Sequence, residues 1–297
     1  MVGIDGIRTL LRTSWHAVMA GCTPLAGAMN SSAWLVELSE PRRRCVAKAV
    51  PEPIRRQFEA GLAVAERLAA LGTSSGAPIR TADGALSARS DGAVVALLEF
   101  VPGRTLVADD PLDQQWWGNA LGAAHQRLAG FDHPDLARFH WIRTDAAHLA
   151  VEEWIRPAVA DAVAAMAKLS VTDQLSYGAM HGDPSTDSFR LDVDTGGLGI
   201  IDWGAAFTGP LVYDIASAVM YAGGLDRAAD LVDGYMAAAP VSRDEIEAAL
   251  PTLLRFRYAV QADYFAHRIW VDDRTGIDDP AENHKGLRDA RTGLETA

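Results

Sequence analysis

Two acidic motifs in the second half of the chain have the residue types and spacing for phosphoryl chemistry. His181-Gly182-Asp183 is followed, nineteen residues after Asp183, by Ile201-Asp202-Trp203. Between them Phe189-Arg190-Leu191-Asp192-Val193 alternates, Asp194-Thr195-Gly196-Gly197 reads as a turn, and residues 198–201 return, which predicts a β-hairpin. A hairpin brings its ends together, so both carboxylates are expected at one edge. Phosphoryl transfer uses such a pair: one carboxylate takes the proton of an attacking hydroxyl, and the other holds Mg²⁺ against the phosphate oxygens. Magnesium prefers carboxylate oxygen and requires no histidine or cysteine. A third group fits the same chemistry. Lys48 lies inside Val46-Ala47-Lys48-Ala49-Val50, and a lysine on an apolar strand calls for an anionic partner because unpaired burial is costly.

The elements that must position these groups change character along the chain. Residues 33–38 (AWLVEL), 45–50 (CVAKAV) and 94–100 (VVALLEF) read as strands. A helix over residues 54–71 carries Leu62, Ala65 and Ala69 on one stripe, with Pro51 and Pro53 before it and Gly72 after it. Val101-Pro102-Gly103-Arg104 breaks the pattern, and the rest of the chain reads as mostly helical. Trp117, Leu121, Ala124 and Leu128 repeat at helical spacing. Ser242 and Glu245 form a capping-box pattern ahead of a helix reaching roughly Trp270. The expectation is an α+β, two-lobed protein: a small β-rich lobe over residues 1–100, with one helix, and a larger helical lobe over residues 101–297 holding the hairpin.

The run HGDPSTDSF, the later IDWG and then Gly209-Pro210-Leu211-Val212-Tyr213-Asp214-Ile215-Ala216 resemble the signature of the aminoglycoside phosphotransferase and choline kinase-like superfamily, which shares the protein-kinase fold. The resemblance implies an ATP- and Mg²⁺-dependent kinase acting on a hydroxyl of a small molecule. By it Asp183 would be the catalytic base, Asp202 the main magnesium ligand, His181 a support for the catalytic loop, and Asp214 a buried brace. Lys48 would grip ATP phosphates and pair with a helix glutamate; Glu59 is preferred over Glu66. Asn30 and Ser31, in the small-residue segment 25–32, would bring backbone N–H groups to the phosphates. Glu99 to Val101 would form the hinge whose main chain binds adenine. The family's second-metal Asn is replaced by Ser188, so either Ser188 or Asp187 would take that place, or the second metal site is impaired. The last alternative leaves a nucleotide-binding pseudokinase or scaffold as the other reading. Only seven residues separate Asp202 from Pro210, too few for the activation segment of a regulated protein kinase.

Composition sets the remaining bounds. The 297 residues are 49% hydrophobic and 22% charged, with a formal net charge of −12, ordinary for a globular enzyme and unsuited to general nucleic-acid binding. An acidic balance fits a cationic or amine-bearing acceptor. Asp263 and Asp272, within an acidic C-terminal stretch that includes Asp273, Asp278, Asp279 and Glu282, are the candidates to bind it. Cys22 and Cys45 show no zinc or disulfide spacing, which fits a reducing cytoplasm. No signal peptide or membrane span is expected, and the chain is taken as a monomer or homodimer. His133, Asp135, His140 and His148 match no metal-ligand spacing. His125 is expected to be structural. Trp116, Trp117, Trp154 and Trp270 are expected in the core rather than as stacking platforms.

Overall fold

The computed structural model describes residues 2–25, 31–90, 92–139, 142–172, 174–277 and 279–297, so Asn30, His140 and Asp278 lie outside the described residues. The protein is of mixed α+β class, with an antiparallel N-terminal sheet and a helical C-terminal region. The first part runs α1 (Ile4–Ser14), β1 (Val18–Leu25), β2 (Ser32–Glu40), β3 (Arg42–Pro51), α2 (Arg55–Ala70), β4 (Ala88–Ser90) and β5 (Ala93–Glu99). Then come α3 (Pro111–Arg127), β6 (Ala137–Arg138), α4 (Ile155–Thr172), β7 (Tyr177–Met180), β8 (Phe189–Leu191), β9 (Leu198–Ile200) and β10 (Phe207–Pro210). Helices α5 (Val212–Tyr221), α6 (Ala229–Ala238), α7 (Arg243–Trp270) and α8 (Ala281–Thr296) complete the chain. Two compact units form. One comprises Met1–Arg104, Asp132–Ala137 and Ser188–Ala206; the other comprises Thr105–Phe131, Arg138–Asp187 and Phe207–Ala297.

In the first unit five strands pair antiparallel in the order β1-β2-β3-β5-β4. The two-residue period of β3 decides which side each residue serves. Cys45, Ala47 and Ala49 are buried with Trp34, Val36 and Leu38 of β2 and with Ile7 and Leu11 of α1. Val50, of the opposite parity, packs with Phe58 and Leu62 of α2 and with Val94 and Ala96 of β5. Lys48 shares the parity of Val50 and therefore belongs to the α2 side. On α2 the buried stripe is Phe58, Leu62, Ala65 and Leu68, with Leu68 rather than Ala69 as its last member. Helix α1 is an addition to the expected elements; it buries Ile7 and Leu11 and packs Leu10 against the same core.

The hairpin belongs to this first unit, not to the helical part where it was expected. Its backbone explains why: Ile200 N–H donates to Ser74 O (2.8 Å), and Arg104 and Leu191 exchange bonds of 3.0 and 2.8 Å. Gly103, at φ +124°, allows that approach, since a Cβ there would lie 2.6 Å from Leu191 O. Pairing stops at Leu191 opposite Leu198, so the loop is two residues longer than the turn expected. The Asp192 carboxylate accepts from the Asp194 N–H (3.0 Å) and the Thr195 N–H (3.4 Å), closing the loop as an Asx turn.

In the second unit Trp117, Leu121, Ala124 and Leu128 are all buried, as the helical repeat predicts. Gly118 and Gly122 bring α6 against α3; a Cβ at 118 would lie 2.0 Å from Leu231 O. The Ser242 hydroxyl caps α7 by accepting from the Glu245 N–H (3.1 Å). The Glu245 carboxylate does not complete the capping box. It accepts from Ser176 N–H (2.6 Å) and Oγ (2.7 Å), tethering α7 to the chain entering β7. Trp117 is core, whereas Trp116 and Trp270 are exposed at 37% and 58%, against expectation: each falls on the solvent side of its helix. No helix among the described residues is long and apolar enough to cross a membrane.

Candidate functional site

The first unit holds one cluster of predicted site residues. The Lys48 ammonium donates to Asp202 Oδ1. The lysine side chain is 13% exposed and the carboxylate 52%, so the charge is carried from the covered face of β3 to an acid open to solvent. The turn that bears the acid is held at several points. Ile201 N–H donates to Ser188 O (2.8 Å), and the buried Trp203 indole donates to Ile200 O (2.9 Å). Asp202 itself sits at φ +66°, ψ +54°, a left-handed conformation that a non-glycine residue adopts only when its surroundings enforce it. Helix α2 rests directly on this turn at Gly61, where a Cβ would lie 2.2 Å from Trp203 O. Gly204 lies beside the pair as well; a Cβ there would be 3.6 Å from Asp202 Oδ1 and 3.8 Å from Lys48 Nζ.

Glu59 is not the residue that meets Lys48. Its carboxylate accepts from Arg55 (2.8 Å) and from the Ser87 hydroxyl (2.7 Å). The partner drawn to the ammonium is Asp202, because the turn is docked on α2 while Glu59 is satisfied on the β4 side of that helix. Glu66, the other glutamate considered, accepts two bonds of 2.7 Å from Arg80. Glu99 ends β5 with its N–H donating to Ala77 O (2.9 Å) and its side chain 3.7 Å from Arg43. Val101 is buried. Ser31 is half-buried just before β2. Ser188 is buried at 6%.

The second unit positions His181, Gly182 and Asp183 through a buried acid. Asp214, in the first turn of α5 and 0% exposed, accepts from His181 N–H (2.6 Å) and Gly182 N–H (2.8 Å). The same carboxylate lies 3.0 Å from His125 Nε2, and His125 Nδ1 is 2.8 Å from the Tyr235 hydroxyl. Gly182, at φ +86°, makes the sharp turn that a side chain would resist. Asp183 N–H then donates to His181 Nδ1 (3.3 Å), and the Trp117 indole donates to Pro184 O (3.1 Å). The loop is fixed from both sides before its acid emerges. The Asp183 side chain is 50% exposed, and Asp187 is exposed as well.

Two residues that sequence reasoning missed meet Asp183. The Tyr221 hydroxyl, at the end of α5, donates to Oδ1. The Arg257 guanidinium, from the middle of α7, donates to the same oxygen at 3.2 Å. Arg257 also donates from Nε to Ser217 Oγ (3.1 Å) and from Nη1 to Gln261 (3.0 Å). Burial disfavours its charge, but Tyr213, Tyr221 and Asp183 outweigh that and raise its pKa. Burial, reinforced by the negative Asp183, likewise pushes the Tyr221 phenol well up. The sequence carried no distinct signal for either, since Arg257 shares its stretch of α7 with Arg255. Asp263 and Asp272 are placed apart from this cluster's bonds: Asp263 Oδ1 is 2.6 Å from His148 Nε2, and Asp272 bonds Arg274 at 2.9 and 3.0 Å.

Residues 21–249 match the model of the phosphotransferase enzyme family. A homoserine kinase from a Chelativorans species is 30% identical over 210 residues, 65% of this chain and 64% of that protein. A choline/ethanolamine kinase family protein from Mesorhizobium loti superposes with a TM-score of 0.70 at 16% identity, covering 98% of this chain and 94% of that one. Spectinomycin phosphotransferase, solved with ADP and spectinomycin, superposes with a TM-score of 0.67 at 13% identity, over 99% of this chain and 98% of that one. The fold is therefore that of the small-molecule kinases, as the motifs led one to expect. With most of its length matched by the family's model, the chain belongs to the phosphotransferase enzyme family.

Proposed function

We propose that the protein transfers the γ-phosphoryl group of ATP, with Mg²⁺, to a hydroxyl of a small molecule. The observation that carries the reading is the Lys48–Asp202 pair, a strand ammonium facing a half-exposed carboxylate. In-line transfer requires a phosphate grip, a metal carboxylate and a base around one nucleotide. Lys48 would hold the phosphates. Asp202 fits magnesium, because its carboxylate oxygens are hard donors and reach solvent; an ion held there would offset phosphate charge. Asp187, exposed and anionic, suits a second magnesium better than the buried Ser188, which disfavours the pseudokinase reading. Asp183 would accept the proton of the acceptor hydroxyl while its loop stays fixed by Asp214. Ser31 and Asn30 would cover the phosphates, and residues 99–101 would bind adenine. Cys22 and Cys45 are free thiols and suit a cytoplasmic setting.

The acceptor is a hydroxylated small molecule, either a metabolite or an antibiotic. A strongly cationic one draws less support than the net charge suggested, since Asp263 and Asp272 already face basic side chains. The test is ADP release from MgATP with homoserine, choline, ethanolamine and spectinomycin. Stimulation by any of these supports the reading, and none by any removes its main support. Asp183→Ala is expected to lower turnover by about a hundredfold or more while ATP binding, followed by calorimetry, survives. Turnover equal to that of the parent would exclude Asp183 as base.

A further inference from the structure

The geometry points to Arg257 and Tyr221 as positioning residues for Asp183: they hold one carboxylate oxygen and set a positive charge beside it before the nucleotide arrives. This rests on the reading of Asp183 as the base. A carboxylate that must approach a polyanionic phosphoryl group faces like-charge repulsion. A guanidinium at 3.2 Å offsets that repulsion, and does so most where water is scarce. Arg257 meets that condition. Its side chain is 8% exposed, and Ser217, Gln261 and the Tyr221 hydroxyl hold its other N–H groups, so it needs no rearrangement to act. Because both donors address Oδ1, the carboxylate cannot rotate without losing two hydrogen bonds. That fixes the plane of the carboxylate. Neither residue lies in the motifs that define the loop; α5 and α7 supply them through the buried Arg257–Ser217 contact.

The experiment measures ADP release from MgATP with water as the sole acceptor, for Arg257→Ala, Arg257→Lys, Tyr221→Phe and Asp183→Ala beside the parent. Arg257→Ala is expected to lose about tenfold or more in kcat with the KM for ATP within about twofold. Arg257→Lys should recover part of the loss, and millimolar guanidinium chloride should restore Arg257→Ala but not Asp183→Ala. Tyr221→Phe, which removes one of the two donors, should lose less than Arg257→Ala. A purely architectural arginine would predict otherwise: a loss that tracks the melting temperature, no response to guanidinium, and no advantage of lysine. That result overturns the inference, as does parental turnover in Arg257→Ala. If Asp183→Ala is inactive while Arg257→Ala is not, the positioning role alone fails; if Asp183→Ala is fully active, the base assignment fails with it.

Discussion

Lys48 and Asp202 show how a charged pair survives on the face of a central strand. The ammonium is nearly covered and the carboxylate is not, so the pair avoids the full desolvation cost of two buried ions yet leaves an anionic oxygen facing solvent. ATP phosphates would compete with Asp202 for the ammonium, and a metal would compete with Lys48 for the carboxylate. Replacing Lys48 by methionine removes a charge-assisted contact of about 1.5–3 kcal/mol. The expected outcome is a KM for ATP raised about ten- to a hundredfold in initial-rate measurements. An unchanged KM would mean that Lys48 does not hold nucleotide. The sequence marked Asp183 and Asp202 by their motifs and Lys48 by its apolar strand, as expected site residues. It could not reveal Tyr221 or Arg257, whose relation to Asp183 arises across separations of 38 and 74 residues.

Among the elements, α2 does more than cover the sheet. Gly61 lets the helix backbone sit on the carbonyl of Trp203, next to the residue that carries the proposed metal acid. Alanine at an ordinary helix position would stabilise by up to about 1 kcal/mol relative to glycine. At position 61 the new methyl would meet a backbone atom 2.2 Å away, and overpacking of that kind costs about 1–3 kcal/mol. Gly61→Ala should therefore lower stability in urea, the opposite sign from propensity; a more stable variant would show that α2 and the turn do not need this approach. The strands and α2 were legible because a two-residue period and an apolar stripe survive in the local sequence. Helix α1 was missed although Ile4, Ile7 and Leu11 recur at helical spacing. The capping-box pattern did mark the start of α7 through Ser242, but the Glu245 carboxylate bonds Ser176 rather than the cap.

Taken as a whole, the molecule buries several phenols in its helical unit. Burial raises the pKa of Tyr213, Tyr221 and Tyr235, and nearby carboxylates add to the effect in all three. In the unfolded chain these groups ionise near pH ~10. A group whose pKa is higher when folded contributes stability that is complete below the unfolded value and is lost as pH rises toward the folded one. Stability should therefore fall above about pH 10, by up to about 1.4 kcal/mol per pH unit for each phenol. Tyr213→Phe, which removes one phenol and keeps the ring that packs among Phe139, Phe207 and Phe256, should flatten that slope in chemical denaturation run from pH 9 to 11. An identical slope in the variant would mean that Tyr213 already ionises freely.

The fold class and the family follow from linear order: motif residues, their spacing and the periods of the flanking elements are local properties, and local chemistry is enough to specify them. Which carboxylate meets Lys48, and which groups meet Asp183, follow from the packing of distant segments. Side chains settle with whichever partner gives the best geometry after backbones such as Gly61 and Trp203 come into contact, and no spacing along the chain encodes that distance. Asp263 is one such case: in the linear sequence it reads with the acidic C-terminal stretch as a site for cations, whereas in the folded chain it meets His148, 115 residues away, while Asp272 and Asp273 pair with Arg274 and Arg268 close by in the chain.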